Sequence, residues 1–289
     1  MKHLLILLAI ICFSCAKQNN TDVSLFLRAD SSAYLTEVSS ETGDLFLKLG
    51  HHGPAIENEW LGLRIYFDQK AAIDVYSKAR PGLELLEAKW YPTVEQQKNG
   101  WGADYYKAGT TVGLGGVRLW DGEKVVPLEP VTNRYARVEK EETSSFMEML
   151  SEGVPYKEGT VDVLVRVTVF SGKREAKVEA KVLGDDPVQF VTGINYWDGQ
   201  EVAMGDNYIA TWGLHPEDVA AESIELGAAI IYDPGNFETA LDDSTQHLLI
   251  SKPAKSLETW ITAASGKETE INTLGKLKTH VETIQGGIH

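Results

Sequence analysis

The chain has 289 residues, 27 basic and 42 acidic, for a formal net charge of −15, and only two cysteines. That acidic balance argues against nucleic-acid binding, which needs a basic face, while leaving room for a local cationic cleft and an anionic substrate. Both cysteines, Cys12 and Cys15, fall in the first fifteen residues, so the rest of the chain has no disulfide, no thiolate nucleophile and no cysteine metal site.

The N-terminus reads as an export signal over residues 1–14. Lys2 gives a short positive region, and Leu4 to Ile11 form an apolar run too short to span a bilayer. Small Ser14 precedes Cys15, which resembles the acylated cysteine of a lipoprotein, and residues 15–22 are a hydrophilic tether. An ordinary secretory peptide with an incidental cysteine is the alternative. The expected location is the cell envelope, on the periplasmic or outer-membrane side, with the membrane touched only through the N-terminal lipid. Without Lys2 the balance is 26 basic against 42 acidic residues, or −16. Residues 23–289 are expected to form one domain, and roughly 265 residues can bury a core of their own.

Period-2 alternation dominates the middle of the chain. The segment 60–68 and the segment 71–78 flank Gln69-Lys70 as a hairpin. A short helix is expected after Pro92, over VEQQKNG, and the Gly-rich run 109–120 is a loop leading into a strand. It is no phosphate loop, because the Gly-Lys-Ser/Thr ending is missing. RYARVEKEET and SSFMEMLSEG form a second hairpin about Thr143-Ser144. In a third, Val161, Val163, Val165, Val167 and Val169 point one way, Ser171-Gly172-Lys173 turns the chain, and Ala176, Val178, Ala180 and Val182 continue the apolar face. PEDVAAESIELG reads as a helical turn or a loop, SLETWITAAS as a strand, and the segment before HVETIQGG as helix or strand. The expected fold is all-β: a large antiparallel two-sheet β-sandwich or a closed sheet, with few short helices.

Four segments carry a family resemblance: GPAIENEWLGLRIYFD at 53–68, AAIDVYSKARPGLEL at 71–85, WYPT at 90–93 and LEPVTNRYARV at 128–138. Together they resemble domain-of-unknown-function family 4861. The resemblance implies a large antiparallel β-sandwich of the carbohydrate-enzyme kind, with a mutarotase-like supersandwich as one form, that works beside polysaccharide-degrading enzymes. It further implies an oligosaccharide dehydratase of ulvan breakdown, which removes water from a terminal uronic acid to leave a 4,5-unsaturated sugar.

Such an elimination needs a base for the C5 proton, a cation or strong donor at the carboxylate, and an acid for the departing hydroxyl. Beyond the leader there are six histidines: His51, His52, His215, His247, His280 and His289. His52, in the His51-His52 turn between Gly50 and Gly53, is the first choice for acid or base; a solvated loop pair is the alternative. On a strand over 60–68, Arg64, Tyr66 and Asp68 share one face and Leu63, Ile65 and Phe67 the other, as a sugar cleft or simply a wet sheet face. Trp90, Tyr91, Trp101, Tyr105 and Tyr106 enrich the next loop in rings that stack on sugars, and Asp104, Tyr105 and Lys107 offer acid, base or carboxylate contacts there. Asn133-Arg134 is the preferred carboxylate clamp, and a strand-start cap with a surface ion pair its alternative. Trp197 and His215 belong to a second aromatic group with Asn195, Tyr196 and Trp212. The catalytic set is therefore His52, Tyr105 and Arg134. The binding set is His51, Arg64, Tyr66, Trp101, Asp104, Lys107, Asn133, Trp197 and His215.

Two other classes compete with the lyase. A glycoside hydrolase would pair Glu57 or Glu59 with Asp104, and a non-catalytic glycan-binding lipoprotein would use the aromatic groups alone; an epimerase is more distant. No cofactor is required. Calcium is an option at Asp185-Asp186, Asp206 or Asp242-Asp243, although none has EF-hand spacing.

Overall fold

The computed structural model describes residues 19–216 and 220–284. The export signal, Cys15, the tether up to Gln18, Glu217 to Val219 within PEDVAAESIELG, and His289 lie outside the described residues.

The long valine-rich hairpin forms the centre of a nine-stranded antiparallel sheet. Its strands run in the order 201–204, 208–213, 226–231, 256–265, 176–182, 159–170, 144–156, 133–140 and 37–40. The register sets Val163 opposite Val182, Val165 opposite Ala180, and Val167 opposite Val178. Every one of these residues is buried, as a period of two requires when one face meets the core. On the other face, Arg166 reaches across to Glu148 at 2.8 Å.

A second layer covers the valine face. It contains a four-stranded sheet (22–24, 55–57, 61–65, 73–77) and a five-stranded sheet (237–242, 246–251, 189–195, 118–120, 125–126). Bridges at Ile73–Gly113 and Leu114–Ile194 link the two through the Gly-rich segment. Gly113 is required there, since a Cβ would lie 2.1 Å from the Ile73 carbonyl oxygen. Leu63, Ile65, Leu114, Phe190 and Ile194 join the valines in one core. Full burial of each such side chain contributes about 1.5–3 kcal/mol, so the domain needs no disulfide among the described residues.

The C-terminal segment resolves as a helix, Leu274–Ile284. It packs Leu277 and Val281 on the opposite face of the long sheet, against Ala210, Trp212 and Ala229. The helix after Pro92 spans Val94–Lys98, with Thr93 and Gln96 closing a capping box. A four-residue helix, Leu85–Ala88, was not foreseen.

Candidate functional site

The site begins with a cross-strand pair. Strands Leu61–Ile65 and Ile73–Ser77 are in register with Arg64 opposite Asp74. The expected shared face holds for Arg64 and Tyr66, but the strand ends at Ile65, and the Asp68 carboxylate turns away to Lys70 at 3.3 Å. Nor is the face wet. Arg64 is 2% exposed and Asp74 fully buried, because the loops 78–91 and 101–109 fold over them.

Every arm of the Arg64 guanidinium is used. Its Nε donates to Asp74 at 2.8 Å, one terminal nitrogen to Asp104 and to the Tyr66 hydroxyl, each at 3.0 Å, and the other to the His51 carbonyl at 3.1 Å and the Tyr91 hydroxyl at 2.9 Å. Burial works against the charge, but Asp74 and then Asp104 outweigh it, and the guanidinium pKa stands well above its ordinary value. Tyr66 donates its own proton to Asp74 at 2.7 Å. Tyr91 differs: its oxygen accepts from Arg64, and its proton has no protein acceptor among the described residues. Burial raises the Tyr91 pKa, so the phenol stays protonated.

Tyr91 is held in place by the residues before it. Glu57, paired with Lys78 at 2.5 Å, accepts the backbone N–H groups of Glu84 and Leu85, each at 2.8 Å, and so fixes the start of the short helix. Glu84 accepts from the Tyr76 hydroxyl at 2.7 Å and from Gly102 N–H at 3.0 Å, tying the two loops together. Fully buried Trp90 then lies against the guanidinium, its ring centre 4.3 Å from the Arg64 carbon. Its neighbour Tyr91 is left at the rim.

His51 and His52 adopt left-handed backbone angles, φ 56° and 62°, and part company. Gly53 permits this turn, since a Cβ there would meet the Ile65 carbonyl oxygen at 1.9 Å. The His51 ring is buried with Nε2 bonded to Ser24 at 2.7 Å, and burial pushes its pKa down to about 3. His52 is half-buried and stacked on Phe46 with ring centres 4.0 Å apart. Its Nδ1 lies 2.8 Å from the Phe46 carbonyl oxygen. A carbonyl only accepts, so Nδ1 carries the hydrogen and Nε2 presents a lone pair. Burial lowers the His52 pKa, the Phe46 contact opposing it in part.

These groups line a cleft of about 490 Å³. Arg28, Lys70 and Lys107 join Arg64 on its walls, against one lining carboxylate among the described residues, Asp104. A locally cationic cleft thus sits in an acidic protein. Lys70 lies over the rings of Phe46 and Tyr66, at 4.6 and 4.5 Å.

Of the expected site residues, the structure brings together His52, Arg64, Tyr66, Asp104 and Lys107. His51 supports them from behind through its carbonyl. Tyr105 and His215 line a smaller adjoining cavity. Trp197 donates its indole N–H to the Lys107 carbonyl at 3.0 Å and braces that loop. Trp101 packs with Tyr76 and Trp90, away from the cleft. Asn133 bonds Glu152 at 2.9 Å on the long sheet. Arg134 lies elsewhere and is fully buried: its guanidinium donates to the carbonyls of Gly43, Asp68 and Leu128 and to Ser151, leaving no face for a ligand. Glu57 is consumed by Lys78 and the helix start, and Glu59 bonds Asn20 at 2.9 Å. Asp242 and Asp243 accept from their own turn, and no group of three or more His, Asp or Glu that could hold a metal occurs among the described residues. Tyr91, expected as one of the stacking rings, lines the cleft. Arg28, Phe46, Lys70 and Asp74 are the site residues that sequence reasoning passed over, and of these only Asp74, inside AAIDVYSK, carried a signal.

Fold and site together define an antiparallel β protein with one cationic, aromatic cleft carrying a neutral histidine. The chain belongs to the DUF4861 family, a domain of unknown function, whose model matches residues 14–288. No curated protein matches it. Among solved structures it is similar to a 4-alpha-glucanotransferase from Thermococcus litoralis (12% identity, 73% of this chain, TM-score 0.36), of whose length it spans 37%. It is also similar to a Klebsiella pneumoniae protein assigned as an aldose 1-epimerase (10% identity, 92% of this chain and 95% of that one, TM-score 0.40). A third is a GH36 alpha-galactosidase from Geobacillus stearothermophilus (9% identity, 73% and 40%, TM-score 0.31).

Proposed function

We propose that this protein is a carbon–oxygen lyase that dehydrates the terminal uronic acid of an oligosaccharide, the ulvan type included, to a 4,5-unsaturated sugar. The observation that carries the reading is the His52 tautomer. A histidine held by a carbonyl at Nδ1, with its pKa lowered, offers an unprotonated Nε2 at neutral pH within a cationic cleft.

In this reading Nε2 takes the C5 proton, and the C5–H electron pair becomes the C4=C5 double bond. The C4–O bond breaks, and the leaving hydroxyl takes the proton of Tyr91 and departs as water. The His52 and Tyr91 ring centres stand 6.4 Å apart, so both groups reach one carbon–carbon bond. Arg28, Lys70 and Lys107 stabilise the negative charge that develops on the uronate carboxylate. Solvent then carries the proton from the imidazolium to the phenolate, restoring both groups. Hydrolysis by a carboxylate pair is less well supported, since Asp104 is the one carboxylate lining the cleft among the described residues and Arg64 holds it.

The test is incubation of the purified protein with uronic-acid-terminated oligosaccharides, followed by mass spectrometry and ultraviolet absorbance. The expected product has lost one water at unchanged chain length and absorbs as a conjugated alkene. Shortened chains would replace the reading with a chain-cleaving one.

A further inference from the structure

A base and an acid can meet neighbouring carbons of a sugar ring from one face or from opposite faces. Two walls that hold a ring between them stand about 7–8 Å apart, twice the ~3.5–4.0 Å at which carbon atoms touch. The His52 and Tyr91 rings are closer than that. Their centres lie 6.4 Å apart with planes at 75°, an edge-to-face pair within aromatic contact range. Phe46, stacked on the imidazole at 4.0 Å, holds His52 in that place. No sugar fits between the two rings, so a bound sugar meets both from the same side.

The Tyr91 hydroxyl is also tied to the wall that carries His52. One terminal nitrogen of Arg64 donates both to the Tyr91 oxygen at 2.9 Å and to the His51 carbonyl at 3.1 Å, and that carbonyl belongs to the peptide bond leading into His52. Arg64 cannot follow a moving phenol, because Asp74 holds its Nε at 2.8 Å and Asp104 its other terminal nitrogen at 3.0 Å. The acid thus stands beside the turn that bears the base. The cations are placed in agreement with this. Besides burial, the charges of Arg64, Arg28 and Lys70 lower the His52 pKa, and all three line the cleft. A uronate carries its carboxylate on C5, the carbon that gives up the proton, so a carboxylate beside the base lies near Arg28 and Lys70.

We infer that the elimination is syn, with the C5 proton and the C4 hydroxyl leaving from one face of the sugar, and that the cleft therefore selects terminal uronates that carry both on that face, as the gluco configuration does. The inference rests on the dehydration by His52 and Tyr91 proposed above. The C5–H electron pair becomes the double bond, and the C4–O pair leaves with the hydroxyl that Tyr91 protonates. Inversion at C4, the galacto configuration, puts the hydroxyl on the far face, away from Tyr91, while His52 still meets the proton. Inversion at C5, the ido configuration, turns the proton away from His52 while Tyr91 still meets the hydroxyl. Each inverted sugar loses the help of one group.

The test is turnover by the wild-type protein of three disaccharides that differ only in the terminal uronate: gluco, galacto and ido. All three would give the same unsaturated sugar, so one absorbance reads every rate. The galacto substrate is expected to show a kcat about 10–100-fold below the gluco one, the loss of an acid, and the ido substrate a kcat about 10²–10⁴-fold below, the loss of a base. Tyr91→Phe should bring the gluco rate down to the galacto rate, since it removes the group that the inverted sugar cannot use. A preference made by binding contacts alone would survive that change. Equal kcat on all three sugars, a faster galacto or ido substrate, or a gluco–galacto gap unchanged in Tyr91→Phe overturns the syn course and leaves the dehydratase standing. No dehydration of any of the three overturns both together.

Discussion

Two buried arginines, Arg64 and Arg134, show how differently one chain uses the same side chain. Arg134 gives its donors to three backbone carbonyls and a serine, with the nearest carboxylates left outside its hydrogen bonds. It fastens Gly43, Asp68 and Leu128, which belong to three separate segments, to the end of the long sheet. Arg64 spends its donors on two carboxylates, two phenols and one carbonyl, all at a cleft wall. Burial alone lowers a guanidinium pKa, as it does for Arg134, whereas the paired carboxylates reverse the direction for Arg64. A buried arginine surrounded by carbonyls is a strut. One surrounded by ionisable groups beside a cleft sets which protons those groups keep.

The strongest way to sharpen this contrast is at the group beside Arg64 that does the chemistry. His52→Ala is expected to lower turnover by about 10²–10⁴-fold, the usual contribution of a general base, with the fold retained by circular dichroism. Arg134→Met tests the other side. Three carbonyls lose their partner, so unfolding in urea should show a loss of roughly 3 kcal/mol, while turnover per folded molecule changes by less than about twofold. A large loss of turnover in properly folded Arg134→Met would break the distinction. Tyr91→Phe keeps the ring on the cleft rim and removes only the unclaimed proton, and kcat should fall by about 10–100-fold with KM little changed.

Two smaller effects come from pH. The His52 pKa lies below its ordinary 6.5, so the base is already unprotonated at neutrality, and the acid limb of kcat/KM should appear below pH 6.5. His51 and His215 are buried with pKa values near 3 against 6.5 in the unfolded chain. Between those values the unfolded chain binds more protons, so stability rises with pH and is lost as pH falls from 6.5 toward 3. At pH 5, calorimetric unfolding in buffers of different ionisation enthalpy should register an uptake of about two protons from this pair.

Much of the fold could be read directly from the chain. The three hairpins announced themselves by alternation, which the burial of Asn133–Lys140, Gly159–Phe170 and Ala176–Val182 largely keeps, whereas Leu61–Ile65 and Ile73–Ser77 are buried on both faces. The capping residues Thr93 and Gln96 follow Pro92 as a helix start should. Alternation also put Arg64 and Tyr66 on one side of a strand. It could not say that loops from 78–91 and 101–109 would bury that side, since the burial is made by residues distant in sequence. The cleft suffered most from this. Arg28, Phe46 and Lys70 arrive from three separate turns, each ordinary in its local context, and only the folded sheet brings them to His52. Arg134 misled for the converse reason. An arginine beside an asparagine at a strand start looks available for a ligand, and the three carbonyls that occupy it lie 6, 66 and 91 residues away. The division of labour between His51 and His52 was equally hidden, because it depends on two consecutive left-handed residues that turn one ring inward and the other toward the cleft.

The central claim, that His52 takes the C5 proton as water leaves, is met most directly by a uronate-terminated oligosaccharide deuterated at C5. Turned over in ordinary water, it should react more slowly than the protiated sugar and yield a product of unchanged chain length that has lost both the deuterium and one water. A product that keeps its deuterium, formed at an undiminished rate with one sugar fewer, would contradict the account.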